Sequence, residues 1–188
     1  MEALSGQCQA LGIAFEILCY DDGSSLSHLD ANKHVEKIHG ARYKELDQNL
    51  GRAKIRNLLA SEARFEYLLF LDCDSGIAHD DFIKTYIDQI EKAPIINGGR
   101  IYSKEKPADR FLLHWQYGHQ RESKPASFRG NHPIIYFHTN NFLAQKAVML
   151  VHPFDEQIEG YGYEDLQWAN LLDRDIVVLH IDLSLIHI

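Results

Sequence analysis

The sequence predicts an α/β protein, a mostly parallel sheet flanked by helices. Three observations carry this. Strand-length apolar runs alternate with helical periodicity from Ala14 to Gly99, the pattern that builds a sheet covered by helices. The run Tyr67-Leu-Leu-Phe-Leu71 is apolar throughout, as strands buried on both faces are. It ends in Asp72-Cys-Asp74, which puts two carboxylates at a strand's carboxyl edge, where open α/β sheets gather ligands.

Each element follows in order. Glu2 to Leu11 is a helix stopped by Gly12. Ala14 to Tyr20 is a strand running into the acidic turn Asp21-Asp-Gly-Ser-Ser25. His28 to His39 is a polar helix, and Tyr43 to Leu46 a short strand. After the loop Asp47 to Gly51, Arg52 to Arg64 is a helix with Ile55, Leu58 and Leu59 on one face. Asp80 to Lys92 is a helix carrying Phe82, Tyr86 and Ile90, and Pro94 to Gly99 a strand. From Tyr102 to Pro133 no period is sustained, although Phe111 to Gln120 allows a helix; a stretch this long is usually functional. Ile134 to His138 has strand character, Asn141 to Val151 is a short strand leading into a helix, Leu166 to Asp173 is a helix and Ile176 to Ile181 the last strand.

Composition bounds the function. The 188 residues suffice for one domain, and 45% hydrophobic with 24% charged residues is ordinary for a globular chain. The net charge of −8 argues against a nucleic-acid partner, which needs a basic surface. Cys8, Cys19 and Cys73 are odd in number and scattered, which fits free thiols in a reducing, cytoplasmic compartment. There is no signal-peptide pattern and no apolar run long enough for a transmembrane helix. The opening on a helix and the close on Leu183-Ser-Leu-Ile-His-Ile188 suggest a fragment of a longer gene: those six residues resemble a translated library adapter. The expected domain is therefore residues 1–182, with 183–188 set aside as an artefactual tail.

Five constellations carry chemistry. Asp72 and Asp74 are hard oxygen donors of the kind that hold Mg²⁺ or Mn²⁺ against a diphosphate. A dehalogenase-type phosphatase would place Thr or Val where Gly76 stands, and a calcium loop would place Gly where Ile77 stands. A loop with two exposed acids is the plain alternative. Asp21 and Asp22 close a second strand and would share its rim with the first pair; ordinary turn chemistry explains them equally. Arg52 and Arg56 lie one helical turn apart and either approach a phosphate or sit in solvent. Glu164 and Asp165 open a helix after Gly160-Tyr-Gly-Tyr163: either a dipole-favoured cap or a general base. His138 and His180, in apolar strand-like runs, suit buried hydrogen-bonded roles; His180 also suits a third metal ligand.

In their order these motifs resemble family-2 glycosyltransferases of the GT-A fold, a Rossmann-like mostly parallel sheet. The matches are Asp21 to Ser24, Asn49 to Asn57, Asp72 to Asp74, Phe154 to Glu156 and Gly160 to Asp165. The late Glu-Asp resembles chondroitin-polymerase-like and galactosyltransferase-like members. The resemblance implies a domain whose first strand is absent, a nucleotide-sugar donor (a UDP-sugar first) and a divalent metal. By the same resemblance Asp21 and Asp22 face the nucleobase, Arg56 the nucleotide and Asp72 the ribose or metal. Asp74 binds the metal, with His180 as a further ligand. Asp165 is the base, and Glu164 helps hold a saccharide or glycolipid acceptor. Inverting transfer in polysaccharide biosynthesis follows, in the cytoplasm, with peripheral association of the parent protein at the inner membrane face among the options. Trp115, Tyr117 and Phe128 would stack on sugar rings in an acceptor-facing segment 102–133, or pack in the core. The alternatives are a metal-dependent phosphatase or nucleotidyltransferase, and an inactive nucleotide-binding remnant.

Overall fold

The computed structural model describes residues 1–158 and 162–187. Its centre is a four-stranded sheet in the order β3-β7-β5-β8. These are Tyr67–Leu71, Asn141–Gln145, Ile95–Asn97 and Val178–His180. A parallel pair, β1 (Ile17–Asp21) and β2 (Ala41–Glu45), stands beside it as a separate ladder. A small third sheet joins β4 (Ser75–Gly76), β9 (Leu185–His187) and β6 (Arg100–Tyr102). The resemblance implied an absent first strand; β1 and β3 each keep one edge without a strand partner among the described residues.

Alternation along the strands sorts the core into two layers. On β7, Phe142 and Ala144 face one layer and Leu143 the other; on β5, Ile95 and Ile96 divide in the same way. The first layer is closed by Ala53 and Ala60 of α3 (Arg52–Glu62), Met149 of α7 (Lys146–Val151) and Trp168 of α8 (Glu164–Leu171). The second is closed by Cys8 of α1 (Glu2–Ala10) and by Phe82, Ile83 and Tyr86 of α4 (Phe82–Ile87). Each large apolar side chain so buried contributes about 1.5–3 kcal/mol. Trp168 fixes α8: it stacks on Phe154 at 5.0 Å and donates its indole N–H to the His152 carbonyl at 2.6 Å. Glu164 sits one turn earlier on the same helix face, so the anchored tryptophan also places the start of the helix.

The α/β class, helices flanking sheets, holds; the strand direction alone is corrected, from mostly parallel to mixed. Three ladders are parallel, but β7 runs antiparallel to both β3 and β5 at the sheet's centre, and β4 runs antiparallel to β9. Helix–strand alternation implies parallel neighbours only where a crossover helix returns the chain. Before β7 the chain makes a long excursion instead, through the 3₁₀ turn Asp109–Phe111, α5 (Leu112–Tyr117), the π-helical Gly118–Glu122 and α6 (Ala126–Arg129).

Local expectations are corrected too. The predicted strand Ile134 to His138 is a run of turns, in which Tyr136 donates to the His132 carbonyl and Phe137 to that of Ile134. Its apolar character serves the anchor Phe137, wedged against Phe142 and Trp168. The polar helix is shorter, with α2 at Leu26–Asn32 running into a 3₁₀ segment, Lys33–Lys37. The closing residues pack as part of the fold: Leu183 and Leu185 are buried, and Leu185–His187 forms β9. Ile188, and Gly160 and Tyr161 of the late glycine motif, lie outside the described residues.

Candidate active site

At the end of β3, Asp72 meets α3, which in turn meets α8. Asp72 donates its backbone N–H to the Asn140 carbonyl at 3.1 Å, which ties the end of β3 to the start of β7. Its carboxylate lies 3.6 Å from the Arg56 guanidinium. Arg56 in turn reaches Glu164 at 3.3 Å and stacks over the Phe154 ring at 5.6 Å. Arg52, one turn earlier on α3, also reaches Glu164 at 3.3 Å. Arg56 and Glu164 are both buried. A buried carboxylate needs a paired cation to stay charged, so Glu164 holds Arg56 in position beside Asp72. That differs from the implied role of Glu164 in gripping an acceptor.

Asp165 points elsewhere. Its Oδ2 lies 3.9 Å from Nδ1 of His138, and its Oδ1 accepts the Leu166 N–H at 2.8 Å. Burial would raise its pKa, but His138 and the Leu166 amide outweigh burial and hold the carboxyl below its usual range. His138 is held low by burial, against the pull of Asp165, and so is neutral near pH 7. Tyr163, just before this pair, is the only non-glycine residue with positive φ among the described residues, at 69°. Such a conformation costs about 1–2 kcal/mol, and backbone strain of this kind gathers at functional sites.

The first two motifs clasp each other. The Asp22 carboxylate accepts N–H groups from Leu50 at 2.7 Å and Gly51 at 3.0 Å, and Asn49 donates back to the Asp22 carbonyl at 2.8 Å. Gly23, at φ 79°, lies so close to Asn49 that a Cβ would meet its nitrogen at 2.6 Å. This clasp delivers the N-terminus of α3 to a cleft of about 250 Å³ lined by Asn49 to Lys54, Glu156, Ile158 and Glu164. Asn57 secures its far wall, bonding the Phe154 backbone through both amide atoms and Glu156 at 3.0 Å. Asp21, assigned to a nucleobase, is instead consumed by the fold. It is buried and accepts from the Ser24 N–H, Asn32 and Tyr43. Burial opposes its ionisation, but these donors prevail and lower its pKa.

A metal must be tested against these donors. Asp74 is exposed and Asp72 has 40% of its side chain open, so both carboxylates are accessible at the sheet edge. No group of three or more His, Cys, Asp or Glu side chains with metal-binding placement occurs among the described residues. Asp72 and Asp74 are hard oxygen donors of the kind that would hold a divalent ion together with substrate phosphates. His180 as the third ligand is corrected: both ring nitrogens are occupied. Arg129 donates to Nδ1 at 2.7 Å, and Nε2 faces the Pro133 carbonyl at 3.0 Å.

Sequence reasoning missed Arg129, gave Asn57 no role of its own within the Asn49 to Asn57 motif, and favoured a buried hydrogen-bonded role over a ligand role for His138. Arg129 is fully buried, bonding the Lys124, Gly98 and Ile181 carbonyls and both oxygens of Asn97. The unperiodic segment around it gave no signal of this. Asn57 was visible as the second half of an Arg-Asn pair inside a helix, where asparagine is out of place unless its side chain has a partner. Of the candidate stacking aromatics, Tyr117 and Phe128 are exposed, while Trp115 donates to the Ser103 carbonyl.

The family described as glycosyl transferase family 2 matches residues 2–154. Among solved structures, S. aureus TarS 1–349 superposes with a TM-score of 0.65 at 21% identity, covering 97% of this chain and 53% of that one. TarS 1–349 in complex with UDP gives 0.63 at 17%, covering 89% and 48%. The mannosyltransferase PcManGT from Pyrobaculum calidifontis, in complex with GDP-Man and Mn²⁺, gives 0.63 at 13%, covering 91% and 47%. The chain thus spans about half the length of these relatives. No curated protein sequence matches it significantly.

Proposed function

This chain belongs to glycosyl transferase family 2, and from that membership we propose that it moves a glycosyl group from a nucleotide-sugar donor to a hydroxyl of a saccharide or glycolipid acceptor, with inversion. One observation supports this most: Asp72, Arg56 and Glu164 form a continuous charged row, and Asp165 opens the same helix as Glu164 with its own partner, His138. The site thereby separates a diphosphate side from a proton-accepting side. Relatives crystallised with UDP, or with GDP-Man and Mn²⁺, favour a nucleotide-sugar and a divalent ion; we take a UDP-sugar as the first candidate.

Asp74 and Asp72 are the residues that would hold the ion, which offsets charge on the departing diphosphate when bound. Arg56, fixed by Glu164, offers its guanidinium to the nucleotide. The cleft at the N-terminus of α3, behind the Asp22 clasp, suits the remainder of the nucleotide. Asp165 takes the proton of the acceptor hydroxyl. The acceptor oxygen then bonds to the anomeric carbon from the face opposite the diphosphate, and the electron pair of the breaking carbon–oxygen bond leaves on the nucleoside diphosphate. Base catalysis of this kind is worth about 10²–10⁴-fold. The low pKa of Asp165 keeps it ionised at neutral pH.

The test is the product. Incubation with nucleotide-sugars, Mn²⁺ and saccharide acceptors should release nucleoside diphosphate and give a glycoside of inverted anomeric configuration. Release of inorganic phosphate or pyrophosphate instead would favour the phosphatase or nucleotidyltransferase alternative, and nucleotide binding without turnover the inactive remnant.

A further inference from the structure

Five side-chain polar atoms among the described residues are buried without a hydrogen-bond partner. They are Nε of Arg100, Oγ of Ser123, Nε2 of His138, and both amide atoms of Asn140. Each such atom loses its hydration without a replacement bond, and native folds seldom leave them in groups. This fold satisfies buried polar groups elsewhere. Arg129 is bonded through all three guanidinium nitrogens, and Asn141 bonds Tyr86 and the Gly99 and Leu183 carbonyls.

Two of the residues that carry these atoms, His138 and Arg100, are neighbours of Asp165. His138 lies 3.9 Å from it, and Arg100 and Glu122 are within electrostatic reach of His138. Arg100 pairs with Glu122 at 3.2 Å, and Ser123 follows Glu122. Asn140 is two residues beyond His138, and its carbonyl holds the Asp72 N–H. The group therefore spans the ground between the metal-side aspartate and the proposed base.

We infer that His138 and Asn140 are the hydroxyl-recognising residues of a saccharide subsite beside Asp165, an assignment that rests on the glycosyl transfer proposed above. The chemistry of the bare atoms selects the ligand. A neutral His138 that turns Nδ1–H toward Asp165 leaves Nε2 as an acceptor in need of a donor. The Asn140 carboxamide presents an acceptor and a donor side by side, which matches two neighbouring hydroxyls of a sugar ring. A phosphate only accepts, and would leave Nε2 and the Asn140 oxygen unpaired. Because these groups are already desolvated in the free protein, a hydroxyl that reaches them gains its hydrogen bonds without further stripping of water from the protein side.

The hydroxyls belong either to the donor's sugar or to the acceptor, and the variants Asn140→Ala and His138→Phe tell these apart. Asn140→Ala removes two unsatisfied atoms, so its melting temperature should stay level or rise; His138→Phe also removes the partner of Asp165 and is read by binding and KM. Binding of UDP and GDP with Mn²⁺ should match the unaltered chain. If the donor sugar is read, affinity for UDP-N-acetylglucosamine or GDP-mannose falls about tenfold relative to the bare nucleotide. If the acceptor is read, donor affinity holds and acceptor KM rises by a similar factor. A lowered melting temperature with unchanged sugar affinity and KM would make these residues structural and overturn the inference, as would equal losses for nucleotide and nucleotide-sugar. An unaltered chain that binds no nucleotide and transfers no sugar would overturn the proposed glycosyl transfer before any variant is made, and the subsite would fall with it.

Discussion

Arg56 is the residue on which the candidate site turns. It is buried between Phe154, Asp72 and Glu164, and Glu164 is itself buried. Removing the cation strands a carboxylate that Arg52, with 47% of its side chain exposed, pairs only from the rim. Arg56→Met should therefore lower stability by about 3 kcal/mol in urea unfolding. Adding Glu164→Gln should restore much of it, because no buried charge then remains; failure of the second change to restore stability would mean that Arg56 acts through packing alone. His180 supplies a pH signature. Burial, and the neighbouring Arg129, bring its pKa from 6.5 down to about 4, against the pull of the Pro133 carbonyl. Below pH 6.5 the unfolded chain takes up a proton that the folded chain refuses. This contribution is thus fully present above pH 6.5, is lost as pH falls toward 4, and is level below that. It amounts to about 3 kcal/mol across that window. Urea unfolding at pH 7 and pH 4.5 should show the difference, and His180→Asn should flatten it.

At the scale of elements, the two loops after β1 and before α3 work as one part. The Asp22 carboxylate and the close approach of Gly23 to Asn49 clamp them together. Gly23→Ala places a Cβ 2.6 Å from the Asn49 nitrogen at a φ of 79°. It should cost about 1–3 kcal/mol and weaken nucleotide binding, because the cleft lies at the helix start that the clamp holds; unchanged melting and unchanged nucleotide affinity would show the clamp to be idle. The strands β3 and β7 were legible because apolar runs bounded by acids or amides have few other homes. The direction of β7 was not legible, since strand polarity is set by the path of the excursion before it, and that path has no periodic signal. Ile134 to His138 misled because one anchoring aromatic, Phe137, and its apolar neighbours imitate a strand. In the closing residues, Leu183 and Leu185 fill the core, a contribution that the reading of the tail left out.

At the scale of the molecule, acids from distant parts of the sequence come to neighbouring places on one α/β scaffold. Asp72 and Asp74 close β3, Asp22 clasps the start of α3, and Glu164 and Asp165 open α8. Their order along the chain was enough to suggest the family, because each sits where an element ends and its backbone leaves polar groups exposed. The partners of these acids were not legible. His138 for Asp165, Arg56 for Glu164, and the donors that consume Asp21 are set by packing across the sheet, which one-dimensional spacing does not encode. The most direct test of the account pairs binding with turnover in Asp165→Asn. Nucleotide-sugar affinity with Mn²⁺, measured by titration calorimetry, should stay within about twofold, while glycosyl transfer falls by about 10²–10⁴. Transfer at the unaltered rate, or loss of donor binding in step with activity, would contradict it.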